Sequence, residues 1–244
     1  MTQALLRLRN MTRRFGGIAA VNDVSFDLRP GIVTALVGPN GAGKTTLFNL
    51  VTGNLRADGG SVEHASQDIT GMKPHRVARR GIARSFQDLR LFSHMTVREN
   101  VLTATEPGSW FWQRGRGGER LASVETALAM TSLNGMAGVR AATLGYAAQK
   151  FLSMARIIAS GAQIWLLDEP ASGLDPSSRQ QFVKLLREAA ASGIAVCLIE
   201  HNLDIVIELA DRIVFLDQGA VLAEGEPQQI LNDPALTAIY FGDR

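Results

Sequence analysis

The stretch GPNGAGKT at residues 38–45 constrains the fold of this chain more than any other part of the sequence. It matches the pattern G-x-x-x-x-G-K-[ST] of a phosphate-binding loop. A short continuous apolar run, VTALVG at 33–38, leads into it, as expected of a strand that is buried on both faces. The segment TTLFNLVTG that follows predicts a helix that begins at Thr45 and is closed by Gly53. Strand, loop and helix in this order predict an α/β fold that binds nucleotide phosphates.

The residue types in this loop suit the chemistry of an anion site. Gly38, Gly41 and Gly43 let the backbone curl until successive N–H groups point into one concavity. The N-terminus of the helix adds the positive end of its dipole. Lys44 supplies a mobile positive charge for the β- and γ-phosphates, and the hydroxyl of Thr45 is a ligand for Mg²⁺. The alternative interpretation is an ordinary glycine-rich turn between a strand and a helix.

A second strand, IWLLD at 164–168, ends in two adjacent acidic residues. Asp168 is predicted to complete the Mg²⁺ site, and Glu169 to polarise a water molecule aimed at the γ-phosphate. An acidic pair at a strand end is often only solvated or capping. Next to a phosphate-binding loop, it favours nucleotide hydrolysis.

The rest of the sequence predicts an α/β core with a helical insert between its halves. Strands are predicted at 5–9, 24–28, 33–38, 164–168 and 195–199, and helices at 96–105, 120–133, 147–160, 177–192 and 227–232, the last being the final helix. The segment 106–119, rich in Gly and Arg, predicts a loop. RIVFLDQGAVLAEG at 212–225 predicts a hairpin that turns near Gln218 and Gly219.

Composition and charge exclude several classes of function. The 25 basic and 23 acidic residues leave a net charge of +2, which gives no case for nucleic-acid or membrane binding. The single cysteine, Cys197, excludes an intrachain disulfide, and the four histidines show no zinc-ligand spacing. The segment MTQALLRLRN does not read as a signal peptide, and no run approaches the roughly 20 apolar residues of a membrane span. We expect a cytoplasmic protein without a nucleic-acid partner, which reaches a membrane only through other subunits.

The order of these segments resembles the ATPase subunits of ABC transporters, and the resemblance covers the chain from Leu5 to about Gly242. Its motifs are RRFGG at 13–17, the phosphate-binding loop, ARSFQDLRLF at 83–92, LLDEP at 166–170, SGLD at 172–175 and IEHNLD at 199–204. The resemblance implies a P-loop ABC ATPase fold: an α/β core with an N-terminal antiparallel β region and a helical insert. We expect one ABC ATPase domain over 1–244, with a core formed by 1–87 and 161–244 and a helical signature subdomain at 88–160.

The same resemblance implies ATP and Mg²⁺ as ligands and assigns roles to single residues. Phe15 would stack on adenine, Gln87 would sense Mg²⁺ and the γ-phosphate and touch the membrane subunit, and His201 would be the switch histidine. A core aromatic, a solvated amide and a core-edge histidine are the alternative interpretations of these three residues. The implied ATP-binding set is Phe15, Val21, Gly38, Pro39, Asn40, Gly41, Ala42, Gly43, Lys44, Thr45 and Thr46; the catalytic set is Glu169, His201 and Gln87; the Mg²⁺ ligands are Thr45, Gln87 and Asp168. The D-loop, which would lie across a dimer interface, is Ser172, Gly173, Leu174 and Asp175.

Two further segments narrow the resemblance. The sequences at 81–102 and 231–243 are similar to the ATPases of branched-chain amino acid importers. Urea-import and lipopolysaccharide-export ATPases share much of the second segment, so these cargoes stay open. The implied partners are a second ATPase subunit in a homo- or heterodimer, transmembrane permease subunits and a periplasmic solute-binding protein. The implied location is peripheral, on the cytoplasmic face of the inner membrane.

The signature segment departs from the family pattern, which reads L-S-G-G-Q, or L-S-Y-G-Q-Q in this subfamily. The chain has Leu144, Gly145, Tyr146, Ala147, Ala148 and Gln149. In the family, the signature of one subunit covers the γ-phosphate that the other subunit holds. Gly145 lacks the serine hydroxyl, whose hydrogen bond to a charged group is worth about 1.5–3 kcal/mol. Ala147 adds a Cβ, and it would be strained if its position requires a positive φ.

We therefore expect the signature to bind the γ-phosphate of the partner's nucleotide weakly, as a weakened clamp. Binding is not lost altogether, because the helix after the signature still offers its N-terminus to a phosphate. We expect unequal sites if the dimer is heteromeric, and slow hydrolysis if it is homomeric. Sequence drift that the site tolerates is the alternative. Two other functions are alternatives. A DNA-repair or translation-associated ABC protein is disfavoured by the short insert and the single ATPase unit, whereas a nucleotide-binding regulator with low turnover is kept open by the altered signature.

Overall fold

Two β-sheets and a group of helices build the molecule, and the computed structural model describes residues 4–85, 89–105 and 117–241. The strands are β1 (Leu6–Phe15), β2 (Ile18–Leu28), β3 (Val33–Val37), β4 (Gly59–His64), β5 (Gln67–Asp68), β6 (Ile82–Arg84), β7 (Ile164–Asp168), β8 (Ala195–Ile199), β9 (Arg212–Asp217) and β10 (Ala220–Gly225). The helices are α1 (Lys44–Val51), α2 (Pro74–Arg79), α3 (Val97–Ala104), α4 (Gly117–Met130), α5 (Tyr146–Ala159), α6 (Pro176–Ala191), α7 (Leu203–Leu209), α8 (Pro227–Leu231) and α9 (Pro234–Phe241).

The larger sheet is the frame of the molecule. Its strand order is β10-β9-β3-β8-β7-β6, with parallel pairing from β9 to β6 and an antiparallel edge at β10. Strands β3, β7 and β8 are buried along their whole length, as their continuous apolar sequences predict. The smaller sheet is antiparallel, in the order β2-β1-β4-β5. The predicted α/β fold with an N-terminal antiparallel region is therefore confirmed.

The core has two layers, one on each face of the larger sheet. Val33, Ala35 and Val37 of β3 face a cluster that includes residues of α3 to α7. Leu36, between them, faces a second cluster formed with the smaller sheet and α1. This alternation follows from the period of two along a strand. The two packed layers hold β3, and thus the loop after it, in a fixed position.

Helices α3, α4 and α5 follow β6 and precede β7 along the chain, and they pack against one another. The first of them begins with a capping box, in which Thr96 accepts from the Glu99 backbone N–H and Glu99 accepts from that of Thr96. Such reciprocal caps fix the start of a helix. This group is the insert that the sequence predicts.

Several elements differ from the sequence prediction. Strand β1 continues to Phe15 and β2 begins at Ile18, so both are longer than the strands predicted at 5–9 and 24–28. The expected loop at 106–119 lies mostly outside the described residues, but its last three residues belong to α4, which begins at Gly117. The glycines there suggest a loop, although they occupy the first turn of a helix. The helix at α8 is not the last one, because α9 follows it. Asp233 caps α9 by accepting from the backbone N–H groups of Ala235 and Leu236.

The hairpin between β9 and β10 is confirmed. Gln218 and Gly219 both have positive φ angles, 46° and 81°, as a two-residue hairpin turn requires. Over residues 4–85, 89–105 and 117–241, no helix is long and apolar enough to cross a membrane.

Candidate functional site

The register of the larger sheet brings three segments to one edge. Leu36 of β3 and Asp168 of β7 both pair with Ile199 of β8. The carboxyl ends of these three parallel strands therefore lie level with one another. Ligands of open α/β sheets bind beyond this edge. The loops that follow the strands carry the glycine-rich segment, Glu169 and His201.

Two glycines of the phosphate-binding loop pack directly against neighbouring backbone. A Cβ at Gly38 would lie 1.9 Å from the carbonyl oxygen of Leu216, and one at Gly43 would lie 2.2 Å from that of Ala20. Both distances are far below van der Waals contact, so no larger residue fits without moving a strand. Gly41 has a φ of +84° but open space around it. Glycine at positions 38 and 43 therefore lets the loop pack closely on β9 and β2, and we call residues 38–43 the glycine cradle.

Lys44 lies in the floor of this loop and is buried. Its Nζ donates to the carbonyl oxygens of Gly38 at 2.6 Å and Pro39 at 2.8 Å. Burial lowers the pKa of the Lys44 ammonium, while the carboxylates of Glu169 and Asp168 oppose that shift. Both of these acceptors are neutral carbonyls, so they do not cancel the positive charge of Lys44. That charge can attract an anionic ligand.

Asp168 is buried at the end of β7, beside the start of α1. Its Oδ2 lies 3.5 Å from the Thr45 hydroxyl and 3.5 Å from Nη2 of Arg84. Burial raises the pKa of the Asp168 carboxyl, the nearby Arg84 opposes this shift and Glu169 adds to it. Its backbone N–H donates to Ser85 Oγ at 3.0 Å. Arg84 was missed from the sequence, because no local pattern connects residues this far apart.

The donor set fits a hard cation such as Mg²⁺. The hydroxyl of Thr45 and the carboxylate of Asp168 are hard oxygen ligands of the kind that Mg²⁺ prefers. Within the part of the chain that the structure describes, no group of three or more His, Cys, Asp or Glu could hold a metal by itself. Mg²⁺ commonly binds through one or two protein ligands together with substrate phosphates. Gln87, the third predicted ligand, lies outside the described residues.

Glu169 and His201 face one cavity. The backbone of Glu169 has a φ of +46°, and its N–H donates to the Ile199 carbonyl at 2.9 Å. Nε2 of His201 lies 3.2 Å from Oε1 of Glu169. The cavity has a volume of about 210 Å³, and it is lined by Ala20, Asn40, Gly41, Ala42, Gly43, Lys44, Thr45, Thr46, Glu169, Ile199 and His201. The structure therefore brings the predicted phosphate loop, acidic residue and histidine together.

The two predicted residues of the N-terminal sheet are placed differently. Phe15, at the end of β1, is 47% exposed, and the guanidinium carbon of Arg13 lies 4.9 Å from the centroid of its ring. It does not line the 210 Å³ cavity. Val21 is fully buried in the core, which corrects its inclusion among the nucleotide contacts. Its neighbour Ala20 lines the cavity instead, since successive residues of a strand point to opposite faces.

The signature segment opens helix α5. Gly145 is the N-cap residue, with φ −64° and ψ 158° and no side-chain cap. A Cβ at Gly145 would meet nothing within 4 Å. Ala147 lies in the first turn of the helix and is not among the residues with positive φ, so the strain considered for it does not arise. Gln149 turns back to donate to the carbonyl of Leu144 at 3.0 Å.

The D-loop lies beside the same helix. Asp175 ends it by capping α6, where its carboxylate accepts from the backbone N–H groups of Ser177 and Ser178. Tyr146 of the signature donates its hydroxyl to the Ser172 carbonyl at 3.3 Å. A second cavity of about 280 Å³ separates the D-loop from the His201 segment.

Two further residues hold this region and have no signal in the sequence. Oε1 of Glu200 accepts from the Ala171 backbone N–H at 3.1 Å, and burial raises the pKa of the Glu200 carboxyl. The hydroxyl of Tyr240, in the final helix, donates to the His201 carbonyl at 2.8 Å. Both contacts join distant parts of the chain to the loops of the site.

Comparison with known proteins gives a consistent result. The sequence model of the family described as "ABC transporter" matches residues 21–172. The chain is 37% identical to the high-affinity branched-chain amino acid transport ATP-binding protein BraF of Pseudomonas aeruginosa, and the match covers 100% of both chains. It is also 37% identical, again over 100% of both chains, to the corresponding protein LivG of Escherichia coli K12.

A more distant relative and a solved structure extend the match. A probable branched-chain amino acid transport ATP-binding protein LivG of Archaeoglobus fulgidus is 33% identical over 98% of this chain and 95% of its own length. The ADP conformation of MJ1267, an ATP-binding cassette of an ABC transporter, superposes with a TM-score of 0.88 at 31% identity, covering 99% of this chain and 100% of that one. These relatives do not favour the urea, lipopolysaccharide or regulatory alternatives.

Proposed function

The chain belongs to the ABC transporter family as an ATP-binding subunit, a family whose members hydrolyse ATP, and from that premise we propose that it powers an importer of branched-chain amino acids. The cargo rests on the names of BraF and LivG, with which the chain aligns end to end. The observation that carries the chemistry is the pair Glu169 and His201, 3.2 Å apart on a cavity lined by the phosphate-binding loop.

The loop binds the phosphates of ATP. Backbone N–H groups of the glycine cradle and the N-terminus of α1 surround the anion, and Lys44 adds its charge. Thr45 and Asp168 would hold Mg²⁺, with Gln87 as a third ligand. When bound, Mg²⁺ neutralises charge on the phosphate oxygens. Phe15 would stack on the adenine from its exposed position at the end of β1.

Glu169 accepts the proton of the attacking water. Glu169 lines the same cavity as the phosphate-binding loop, so its carboxylate would face a water placed beside the γ-phosphate. His201 orients the Glu169 carboxylate through the contact between Nε2 and Oε1, and its ring faces the same cavity. Catalysis of this kind depends on positioning and on electrostatic stabilisation of the transferred group. The two residues act as one unit.

The second half of each site comes from another ATPase subunit. In a head-to-tail dimer, the segment from Leu144 to Gln149 would cover the nucleotide of the partner. Gly145 supplies no hydroxyl there, but the N-terminus of α5 remains open to an anion. We therefore propose that this chain binds the partner's nucleotide only weakly through its signature segment. At its own nucleotide, the chain supplies all four residues of the hydrolytic site: Lys44, Asp168, Glu169 and His201.

The other partners follow from the transport role. The chain would bind transmembrane permease subunits from the cytoplasmic face of the inner membrane, as a peripheral subunit. A periplasmic solute-binding protein would deliver the amino acid. No nucleic acid takes part.

Uptake of labelled leucine tests this function. Cells that lack the gene are complemented with the wild-type chain or with Glu169→Gln. We expect the wild type to restore uptake of leucine, isoleucine and valine, and the variant not to. Equal uptake with and without the wild-type gene would contradict the proposed cargo, and a screen of other amino acids and urea would then identify the true one.

A further inference from the structure

Lys150 is a buried lysine in the second turn of α5. Its side chain is shielded from solvent, and its Nζ donates to the backbone carbonyl oxygen of Glu169 at 2.9 Å. The same Nζ lies 5.6 Å from the centroid of the Tyr146 ring. A buried ammonium is costly unless polar partners replace its water. The contact with Glu169 is therefore a specific one that the fold maintains.

The residue that receives this bond has an unusual backbone. Glu169 adopts a φ of +46°, in the left-handed region that residues with a Cβ seldom occupy. Its N–H donates to Ile199, while its carbonyl accepts from both Lys150 Nζ and the Ser172 N–H at 3.3 Å. A strained conformation persists where its surroundings determine it more than once. Lys150 supplies one of these constraints from outside the loop itself.

A second contact joins the same helix to the next residues of the loop. Tyr146 precedes Lys150 by one helical turn and lies on the same face of α5. Its hydroxyl reaches the Ser172 carbonyl, and its ring lies against Gly173, where a Cβ would be only 2.8 Å from Cε1. The start of α5 therefore contacts the segment 169–173 at both of its ends.

We infer that Lys150 is a positioning residue, which fixes the backbone of Glu169 from the helix that carries the signature segment. The inference rests on the proposed function, because it assigns Glu169 to hydrolysis. Lys150 then couples two sites. It joins Glu169, which acts on the chain's own nucleotide, to α5, whose N-terminus is offered to the partner's nucleotide. Loss of the Lys150 bond removes the constraint that α5 places on the Glu169 carbonyl, so the peptide can shift and the carboxylate loses the orientation in which it meets His201.

Arg156 provides a matched control on the same helix. It too is a cation that donates to a backbone carbonyl, that of Arg90 at 2.9 Å, and its guanidinium carbon lies 5.2 Å from the ring centroid of Phe92. Its contacts are therefore similar in kind, but they lead away from Glu169. A general loss of α5 stability would affect both variants alike.

The experiment compares Lys150→Met, Lys150→Arg, Arg156→Met and Glu169→Gln in the full chain, co-expressed with its transporter subunits. For each variant, kcat and KM for ATP and the melting temperature are measured. We expect Lys150→Met to lower kcat roughly ten- to hundredfold, as small misplacements of catalytic groups do, with KM within about twofold because the phosphate loop is intact. Lys150→Arg keeps a donor and should recover most of kcat. Arg156→Met should lower the melting temperature comparably without this fall in kcat.

The possible failures are distinguishable. If Glu169→Gln hydrolyses ATP as the wild type does, the proposed function is wrong. If Glu169→Gln is inactive while Lys150→Met keeps the wild-type kcat, or loses no more than Arg156→Met, the positioning role is overturned and the proposed function stands. If Lys150→Met does not fold, Lys150→Gln, which keeps a polar terminus in the same space, takes its place with the same expected split between kcat and KM.

Discussion

Nε2 of His201 lies 3.2 Å from Oε1 of Glu169, although the two residues are 32 positions apart in the sequence. The contact forms because β7 and β8 are neighbours whose last residues, Asp168 and Ile199, pair in register. The main chain of His201 is held in turn by Tyr240. The geometry of this pair thus depends on the sheet and on the final helix together.

Replacement of His201 by alanine should remove turnover while it leaves ATP binding intact. The side chain acts on Glu169 and on the reacting group, whereas affinity comes from Lys44 and the glycine cradle. We expect kcat to fall by about 10²–10⁴-fold, the usual range for a group that assists proton transfer, and the Kd for ATP to change little. Steady-state kinetics and a fluorescent nucleotide titration measure the two. His75→Ala, at an exposed histidine of α2, is the control, and an equal loss in both variants would contradict the assignment.

The glycines of the phosphate loop should differ sharply in tolerance. Gly43→Ala places a Cβ 2.2 Å from the Ala20 carbonyl oxygen, so a strand must move. Gly41→Ala meets open space and faces only the strain of its positive φ. We expect Gly43→Ala to abolish nucleotide binding and lower the melting temperature, and Gly41→Ala to weaken binding to a smaller extent. Equilibrium dialysis with labelled ATP and thermal denaturation measure both, and identical behaviour of the two variants would argue against the close packing.

Local motifs in the sequence were enough to predict the elements that hold the phosphate loop, the acidic pair and His201. Each lies at the end of a short, mostly apolar strand that is buried along its whole length, and a continuous apolar run is the pattern typical of such strands. The sequence also predicts the hairpin that turns at Gln218 and Gly219, and both residues have the positive φ that a two-residue turn needs.

Elements without such patterns were missed. The strand β4 begins with two glycines, and α7, LDIVIEL, is rich in β-branched residues that favour strands. The sequence predicts Val21 at the site, whereas its neighbour Ala20 lines the cavity, because the sequence alone does not fix which face of a strand points inward.

Long-range polar contacts were also out of reach from sequence. Arg84 reaches Asp168, Lys150 reaches Glu169, and Tyr240 reaches the His201 carbonyl. None of these pairs is close in the chain, and no spacing rule connects them. They are nevertheless what holds the catalytic loops, so the support of the site becomes visible only in the fold.

Restoration of the signature should speed hydrolysis in the assembled transporter. Gly145→Ser fits without a clash, because a Cβ there meets nothing within 4 Å, and its hydroxyl lies at the N-cap of α5. Combined with Ala147→Gly, it should raise the ATPase rate by about tenfold or more, since a hydrogen bond to a charged group is worth about 1.5–3 kcal/mol and about 1.4 kcal/mol is a factor of ten in rate. Gly135→Ser, at a glycine with equally open space, is the control. An unchanged rate in the double variant would mean that the altered signature does not limit turnover.

The stability of the protein should respond to pH through Glu200. Burial raises the pKa of its carboxyl above the usual 4.5, so the folded state binds this proton more tightly than the unfolded state. The contribution of Glu200 to stability is then complete below pH 4.5 and declines as pH rises through the folded-state pKa. Against Glu200→Gln, which does not titrate, the wild type should lose relative stability as the pH rises above the usual carboxyl pKa of 4.5. Urea denaturation across this range measures the difference, and a constant or opposite trend would refute the assignment.

The rate of ATP hydrolysis by Glu169→Gln in the assembled transporter tests the central claim most directly. The substitution keeps the size of the side chain and removes its ability to accept a proton, while Lys44, Thr45 and the glycine cradle stay in place. We expect the variant to bind Mg²⁺-ATP with an affinity close to that of the wild type and to lose its turnover by at least about 10²-fold. Hydrolysis at the wild-type rate would contradict the role given to Glu169.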